Sequence, residues 1–285
     1  MNSHSGRSLL ALAAALLPPT SASAQNVEVG IDGLAGIVRD DRNPGDNEDF
    51  SGGVLPSLAI GTNLIHGQVD GLLFDYAGDS ALGGALHLGP RIGEHGYIGI
   101  YGSLSELERH TGLTTKRVGG EAKLGLGVFS IEGIAGYEHT EQATFLIGTT
   151  ATHDVYDVYG RGGKFFSFSD LKMRPSGSLV LSVGHRYTGG RHAAAAGVAI
   201  GFGNNIALLL QGRAGGGDYK MLLGGLRVRF GGRTDGSPSS MLENRLIEDL
   251  FAAGNTRRQL LVPLPPPPSP PEEEGCGSCG GYCDA

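Results

Sequence analysis

The stretch YKMLLGGLRVRF, Tyr219–Phe230, decides how this chain folds. One parity carries Leu222, Gly224, Leu226, Val228 and Phe230, and the other carries Gly225, Arg227 and Arg229. Successive side chains of a strand point to opposite faces, so this is a strand with one apolar face and one face of glycine and charge. The division recurs upstream. Leu179, Leu181 and Val183 oppose Ser182, Gly184 and Arg186, while Leu82, Leu86 and Leu88 oppose Gly83, Ala85 and His87. Likewise Ala122, Leu124, Leu126 and Val128 oppose Glu121, Lys123 and Gly125. Across residues 27–230 roughly a dozen such segments, most of about 9–13 residues, are separated by turn residues. Alternation by itself does not say which face is buried. Strand length does: globular strands average about 5–6 residues, whereas a strand tilted across a bilayer needs about 9–11. The polar faces agree, because they hold glycine with scattered Glu, Lys and Arg rather than the dense Lys, Glu, Thr and Ser of a solvated sheet.

Composition excludes the other architectures. The 285 residues include 50 glycines and no Trp, and 18% are charged. Each glycine inside a helix costs about 1 kcal/mol relative to alanine, so a helical protein is ruled out. No Gly-X-Y period supports collagen, and 40% hydrophobic content is too much for a disordered chain. The net charge of −7 argues against nucleic acid as a partner, since phosphate binding needs a basic face.

Connection lengths give an independent signal. With the amino terminus on the periplasmic side, the outer connections are 39–50, 78–80, 108–114, 140–158, 188–191 and 214–217. The inner ones are 63–66, 93–95, 129–130, 174–177 and 203–205, uniformly tight, and the longest connections all fall on the outer set. Outer-membrane barrels show short periplasmic turns and longer outer loops. Gly189-Gly190, in the stretch HRYTGG, is placed to supply the positive φ of a tight hairpin turn. An aromatic girdle is expected from Tyr76, Tyr97, Tyr101, Phe129, Tyr137, Tyr187, Phe202 and Phe230.

Gly225, Val228 and Phe230 resemble the closing-strand pattern Gly-x-x-hydrophobic-x-aromatic of Gram-negative outer-membrane β-barrel proteins. Two departures stand out: Leu223 occupies a position where the pattern has a polar residue, and the chain continues for 55 residues beyond Phe230. The stretches 117–139 and 179–203 resemble an uncharacterised porin-like family of such barrels. The resemblance covers roughly residues 90–230 and implies an outer-membrane location, recognition by the barrel-assembly machinery and contact with outer-membrane lipid. It implies no chemistry.

The flanks read differently. Arg7, the apolar run Leu9–Leu17 and Ala22-Ser23-Ala24 form a secretory signal peptide. After the barrel, Ser240 and Glu243 form a capping box, and Leu242, Leu246 and Leu250 recur at helical spacing up to Gly254. A stiff polyproline spacer at 261–271 follows. The sequence thus predicts an all-β protein: a closed antiparallel up-and-down transmembrane β-barrel, about twelve strands, with a short C-terminal helix and a Pro-rich tail. Its parts are a signal peptide at 1–24, the barrel at 25–230, a linker and amphipathic helix at 231–254, and a Pro-rich, Cys-containing periplasmic tail at 255–285. Cys276, Cys279 and Cys283 allow a disulfide with one odd thiol, a three-thiolate metal clamp, or a link to a periplasmic partner.

Three constellations are candidates for function. Asp40, Asp41, Asp46, Glu48 and Asp49 make an acidic loop without the register of a calcium-binding loop. Ser182, His185 and His192 raise the possibility of an outer-membrane lipid acyl-ester hydrolase, yet Ser182 and His185, three apart, lie on opposite faces of a strand. The third is the inward polar set. It comprises a lumen charge network of Glu28, Asp32, Glu121, Lys123, Arg186, Arg213, Arg227 and Arg229, with Asp75 and His87 on the same face. First and last strands of a closed barrel are neighbours, so Glu28 and Asp32 are placed to face Arg227 and Arg229 across the seam. The set reads either as a structural ion-pair network or as a charged constriction that selects solutes. The function expected is a narrow channel or an envelope-structural barrel with a charged, glycine-lined lumen. The alternatives are the hydrolase and an interaction module acting through the tail. No cofactor is expected.

Overall fold

The computed structural model describes residues 26–39, 48–62, 64–76, 79–93, 96–108, 113–142, 152–153, 156–158, 162–203, 205–216, 219–231, 256–258 and 262–263. The signal peptide, most of the acidic loop (Asp40, Asp41 and Asp46), the amphipathic helix and the three cysteines lie outside them.

Twelve long strands form the barrel. They are β1 (Asn26–Arg39), β2 (Asp49–Gly61), β3 (Ile65–Tyr76), β4 (Asp79–Ile92), β5 (Gly96–Glu108) and β6 (Leu113–Leu126). The second half is β7 (Phe129–Gln142), β8 (Gly162–Ser176), β9 (Leu179–Thr188), β10 (Arg191–Phe202), β11 (Ile206–Gly215) and β12 (Lys220–Gly231). Each pairs antiparallel with its chain neighbours, and β12 closes on β1 with Val29 opposite Phe230 and Asp32 opposite Arg227. Closure leaves no unpaired edge, which any sheet surrounded by lipid requires.

One end of the barrel carries the connections 62–64, 93–95, 127–128, 177–178 and 203–205, together with the start of β1 and the end of β12. The other end carries the connections 40–48, 77–78, 109–112, 143–161, 189–190 and 216–219. These are called the short-turn and long-connection ends below. Gly189 and Gly190 adopt φ of +64° and +78° and join Thr188 to Arg191 as a two-residue turn, a conformation that glycine adopts without steric cost. Two short ribbons, Tyr156–Val158 with Thr256–Arg258 and Thr152–His153 with Val262–Pro263, join the connection after β7 to the segment after β12.

Candidate functional site

Period-2 alternation sorts every strand into an outward and an inward face. Outward stand large apolar side chains that the protein leaves more than half uncovered: Ile100 is 62% exposed, Val118 62%, Val183 58% and Leu226 53%. Phe129, Phe202 and Phe230 join them near strand ends, and Tyr137 joins them within β7. Such a surface, continuous around twelve strands, is incompatible with water and matches hydrocarbon. Strands of 10–15 residues with a rise of about 3.3 Å per residue and a tilt near 40° cover the apolar band of about 25 Å. Among the described residues no helix is long and apolar enough to cross a membrane. The strands do so. This is a transmembrane β-barrel of the outer-membrane type.

The inward faces line the lumen, and their chemistry is built from the register upward. At the seam, Asp32 receives a bidentate contact from Arg227, with Nε–Oδ1 at 2.8 Å and Nη2–Oδ2 at 2.6 Å, and Arg229 lies 4.0 Å from Glu28. These four side chains are brought together because β1 and β12 pair with Asp32 and Arg227 directly opposite. Around the wall, His87 on β4 donates from Nδ1 to Glu121 Oε2 on β6 at 2.6 Å, and its Nε2 stands 3.2 Å from Asp70 on β3. Tyr97 donates to the other oxygen of Glu121, and Gln68 donates to both oxygens of Asp70 at 3.0 and 2.9 Å. All five side chains are buried.

A second group lies toward the long-connection end. Arg117 on β6 sits opposite Glu138 on β7, donates to it at 3.0 Å, and reaches Thr188 on β9 at 2.8 Å. Thr188 in turn donates to Glu138 at 2.6 Å, and the Gly189 amide donates to the second carboxylate oxygen. The Arg117 guanidinium stacks over Phe166 and Phe168 of β8 at 5.6 and 5.4 Å. Beside it Arg186 grips Asp170 through two contacts of 3.0 and 2.8 Å. Gly184 makes room for that pair, since a Cβ there would come within 2.0 Å of Asp170 Oδ1 and 2.7 Å of Arg186. Gly225 has a different role: its Cβ would lie 1.9 Å from the Gly33 carbonyl oxygen, so glycine there permits close strand approach at the seam.

The opposite wall of the same half is apolar. Leu34, Val38, Leu55, Leu72, Met221 and Leu223, on β1, β2, β3 and β12, point inward and are buried. Leu223, the departure from the closing-strand pattern, is one of them. The lumen is therefore not lined by glycine and charge alone.

Several placements correct the sequence reading. Asp75 is exposed on the outward face, and Asp70 takes the lumen position. The cause lies in GLLFDY, 71–76, where Leu72 and Leu73 fall on opposite parities and alternation cannot set the face. Tyr76, Tyr97 and Tyr101 are buried inside rather than in a girdle, and Phe165, 56% exposed, stands outside. Lys123 neighbours Glu132 in register, and Arg213 is buried and donates to the Gly212 carbonyl at 3.1 Å. His185 lies on the outward face against His192, Nε2 to Nδ1 at 3.0 Å, while Ser182 faces the lumen. The three do not form a nucleophile and base.

Alternation also carried residues that the sequence reading passed over. Arg117 shares parity with Glu121 and Lys123, so the rule that selects those two selects it as well, and Glu132 and Glu138, which share one parity of β7, were passed over together. Among the described residues no group of three or more His, Cys, Asp or Glu is arranged to hold a metal ion.

No protein-family model matches the chain, and no curated protein does. Among solved structures, the translocator domain of the autotransporter NalP from Neisseria meningitidis is similar at 15% identity and a TM-score of 0.43, over 78% of this chain and 92% of that one. The COG4313 outer membrane channel from Pseudomonas putida F1 is similar at 8% identity and a TM-score of 0.43, over 74% of this chain and 97% of that one. The assignment of the barrel rests on its own strand pairing and outward face.

Proposed function

We infer that the protein is a narrow solute channel of the outer membrane. The observation that carries this reading is the ladder of ionic groups along the lumen: Asp32 with Arg227, Asp70 and Glu121 with His87, Arg117 with Glu138, and Asp170 with Arg186. A barrel filled only for rigidity has no need of such groups, because aliphatic side chains of similar volume are often as stabilising as buried ion pairs or more so. Charged and hydrogen-bonding side chains lining a membrane passage are what solute selection needs. Twelve strands enclose a lumen between the filled eight-strand barrels and the wide sixteen-strand porins, so the pathway is narrow.

Purified full-length protein, shown to be folded by heat-modifiable gel mobility, is expected to give small unitary conductance steps in planar bilayers. Folded protein that inserts yet stays silent at all potentials would retire the channel in favour of a purely structural barrel.

A further inference from the structure

The chain leaves the barrel at one end and is next found paired at the other. β12 finishes with Gly231 at the short-turn end. Thr256–Arg258 then pairs with Tyr156–Val158, and Val262–Pro263 with Thr152–His153, both within the connection after β7 at the long-connection end. Val158 is four residues before Gly162, where β8 begins at that end, so the two lie at most about 14 Å apart. Paired strands run about 4.8 Å apart, which ties Thr256 to the same end. A connection folded inward to meet its partner would put the pairing inside the lumen itself.

Residues 232–255 therefore span the height of the barrel, about 30 Å for strands of twelve residues at a tilt near 40°. Twenty-four residues suffice, since they cover about 36 Å even at the helical rise. Two routes exist, around the wall or through it. Around the wall lies hydrocarbon, which admits a lone segment only as an apolar helix and makes charge costly. Arg233, Asp235, Glu243, Arg245, Glu248 and Asp249 all fall in this segment. The lumen is the route left.

The lumen wall carries a surface to match. Leu34, Val38, Leu55, Leu72, Met221 and Leu223 make a buried apolar face in a passage whose opposite wall is charged. Val38 and Leu55 are each 1% exposed, so protein rather than water covers them. Leu242, Leu246 and Leu250 recur every fourth residue in the crossing segment, the spacing of one apolar helical stripe.

We propose that the chain crosses the membrane once more between Gly231 and Thr256, through its own lumen, with this leucine stripe docked on the apolar wall of β12 and β1–β3. The Pro-rich, Cys-containing tail is then presented beyond the long-connection end, outside the cell, because short turns face the periplasm in outer-membrane barrels. Local pattern alone assigns that tail to the periplasm; the pairing of 256–258 and 262–263 carries it to the other side. The routing stands on strand pairing and on the cost of lipid, independently of the channel reading. Where that reading holds, solute shares the lumen with the chain.

Two measurements on the full-length protein test the route. With Cys276→Ser and Cys279→Ser, Cys283 is the single thiol, and a maleimide on a polymer too large for any porin is expected to shift its gel mobility when added to intact cells. A shift seen only after the outer membrane is permeabilised overturns the proposal. In purified, folded protein with the tail cysteines replaced by serine, Leu246→Cys is combined with lumen-facing Leu55→Cys or Leu72→Cys, or with outward Leu73→Cys. A bismaleimide is expected to link 246 to 55 or 72 within one chain and not to 73. Linkage to 73, linkage to none, or a band of dimer size, which would seat the segment of a second copy in the lumen, overturns it. Silent bilayers with a positive intrachain link leave this proposal standing and retire the channel; conduction without a link does the reverse.

Discussion

Two walls of one lumen, equal in depth, are held together differently. Toward the long-connection end, β6–β9 carry Arg117, Glu138, Asp170, Arg186 and Thr188, closed on one another by direct hydrogen bonds. Across from them β12 and β1–β3 carry Met221, Leu223, Leu34, Val38, Leu55 and Leu72, buried side chains of one apolar cluster that carry no charge. The comparison separates burial from polarity. Both walls are equally hidden, yet one depends on charged partners of fixed geometry and the other chiefly on volume. An ion pair tolerates no loss of either member, whereas an aliphatic wall gives way in proportion to the atoms removed.

Substitutions on the two walls sharpen that contrast, and urea unfolding in lipid vesicles, followed by tyrosine fluorescence because the chain has no Trp, reads all of them. The largest effect is expected from Arg117→Ala. It removes the guanidinium paired with Glu138 and leaves that buried carboxylate with Thr188 and the Gly189 amide, at a cost of about 3–5 kcal/mol. A loss below that of the aliphatic variants would mean that water already screens the pair. Leu55→Ala on the apolar wall removes buried volume without orphaning a polar group, and about 2–4 kcal/mol is expected. Gly184→Ala is expected to cost about 1–3 kcal/mol by pressing its Cβ against Asp170 and the Ser169 carbonyl. Adding Asp170→Ala should relieve most of the side-chain part of that strain, giving a double-mutant coupling that a simple backbone clash lacks. Lys116→Ala, whose partner Glu141 is as exposed as itself, is expected to be indistinguishable from wild type.

What the sequence disclosed follows the same division. The outward face was legible wherever one parity is aliphatic and the other is not, as in Leu82, Leu86 and Leu88 against Ala85 and His87. Closure also placed Asp32 near Arg227, because the first and last strands of a barrel must meet. The apolar wall was hidden in MLL and GLLFDY, where both parities are apolar and alternation loses its meaning. The ion-paired wall was half visible. Arg186 stood out, but its partner Asp170 is set by the β8–β9 register, and Arg117 reaches Thr188 across two intervening strands. Such contacts depend on how the wall curves, which local pattern does not encode.

The central claim is that the apolar face of each strand meets lipid and the charged face lines the lumen. Site-directed spin labelling along residues 219–230 tests it most directly, in protein whose three tail cysteines are replaced by serine and which is reconstituted in bilayers. Labels at 222, 224, 226, 228 and 230 are predicted to collide readily with oxygen dissolved in the bilayer, and labels at 223, 227 and 229 to be shielded from it. The opposite alternation, or uniform accessibility to a water-soluble relaxer along the whole strand, would contradict the account.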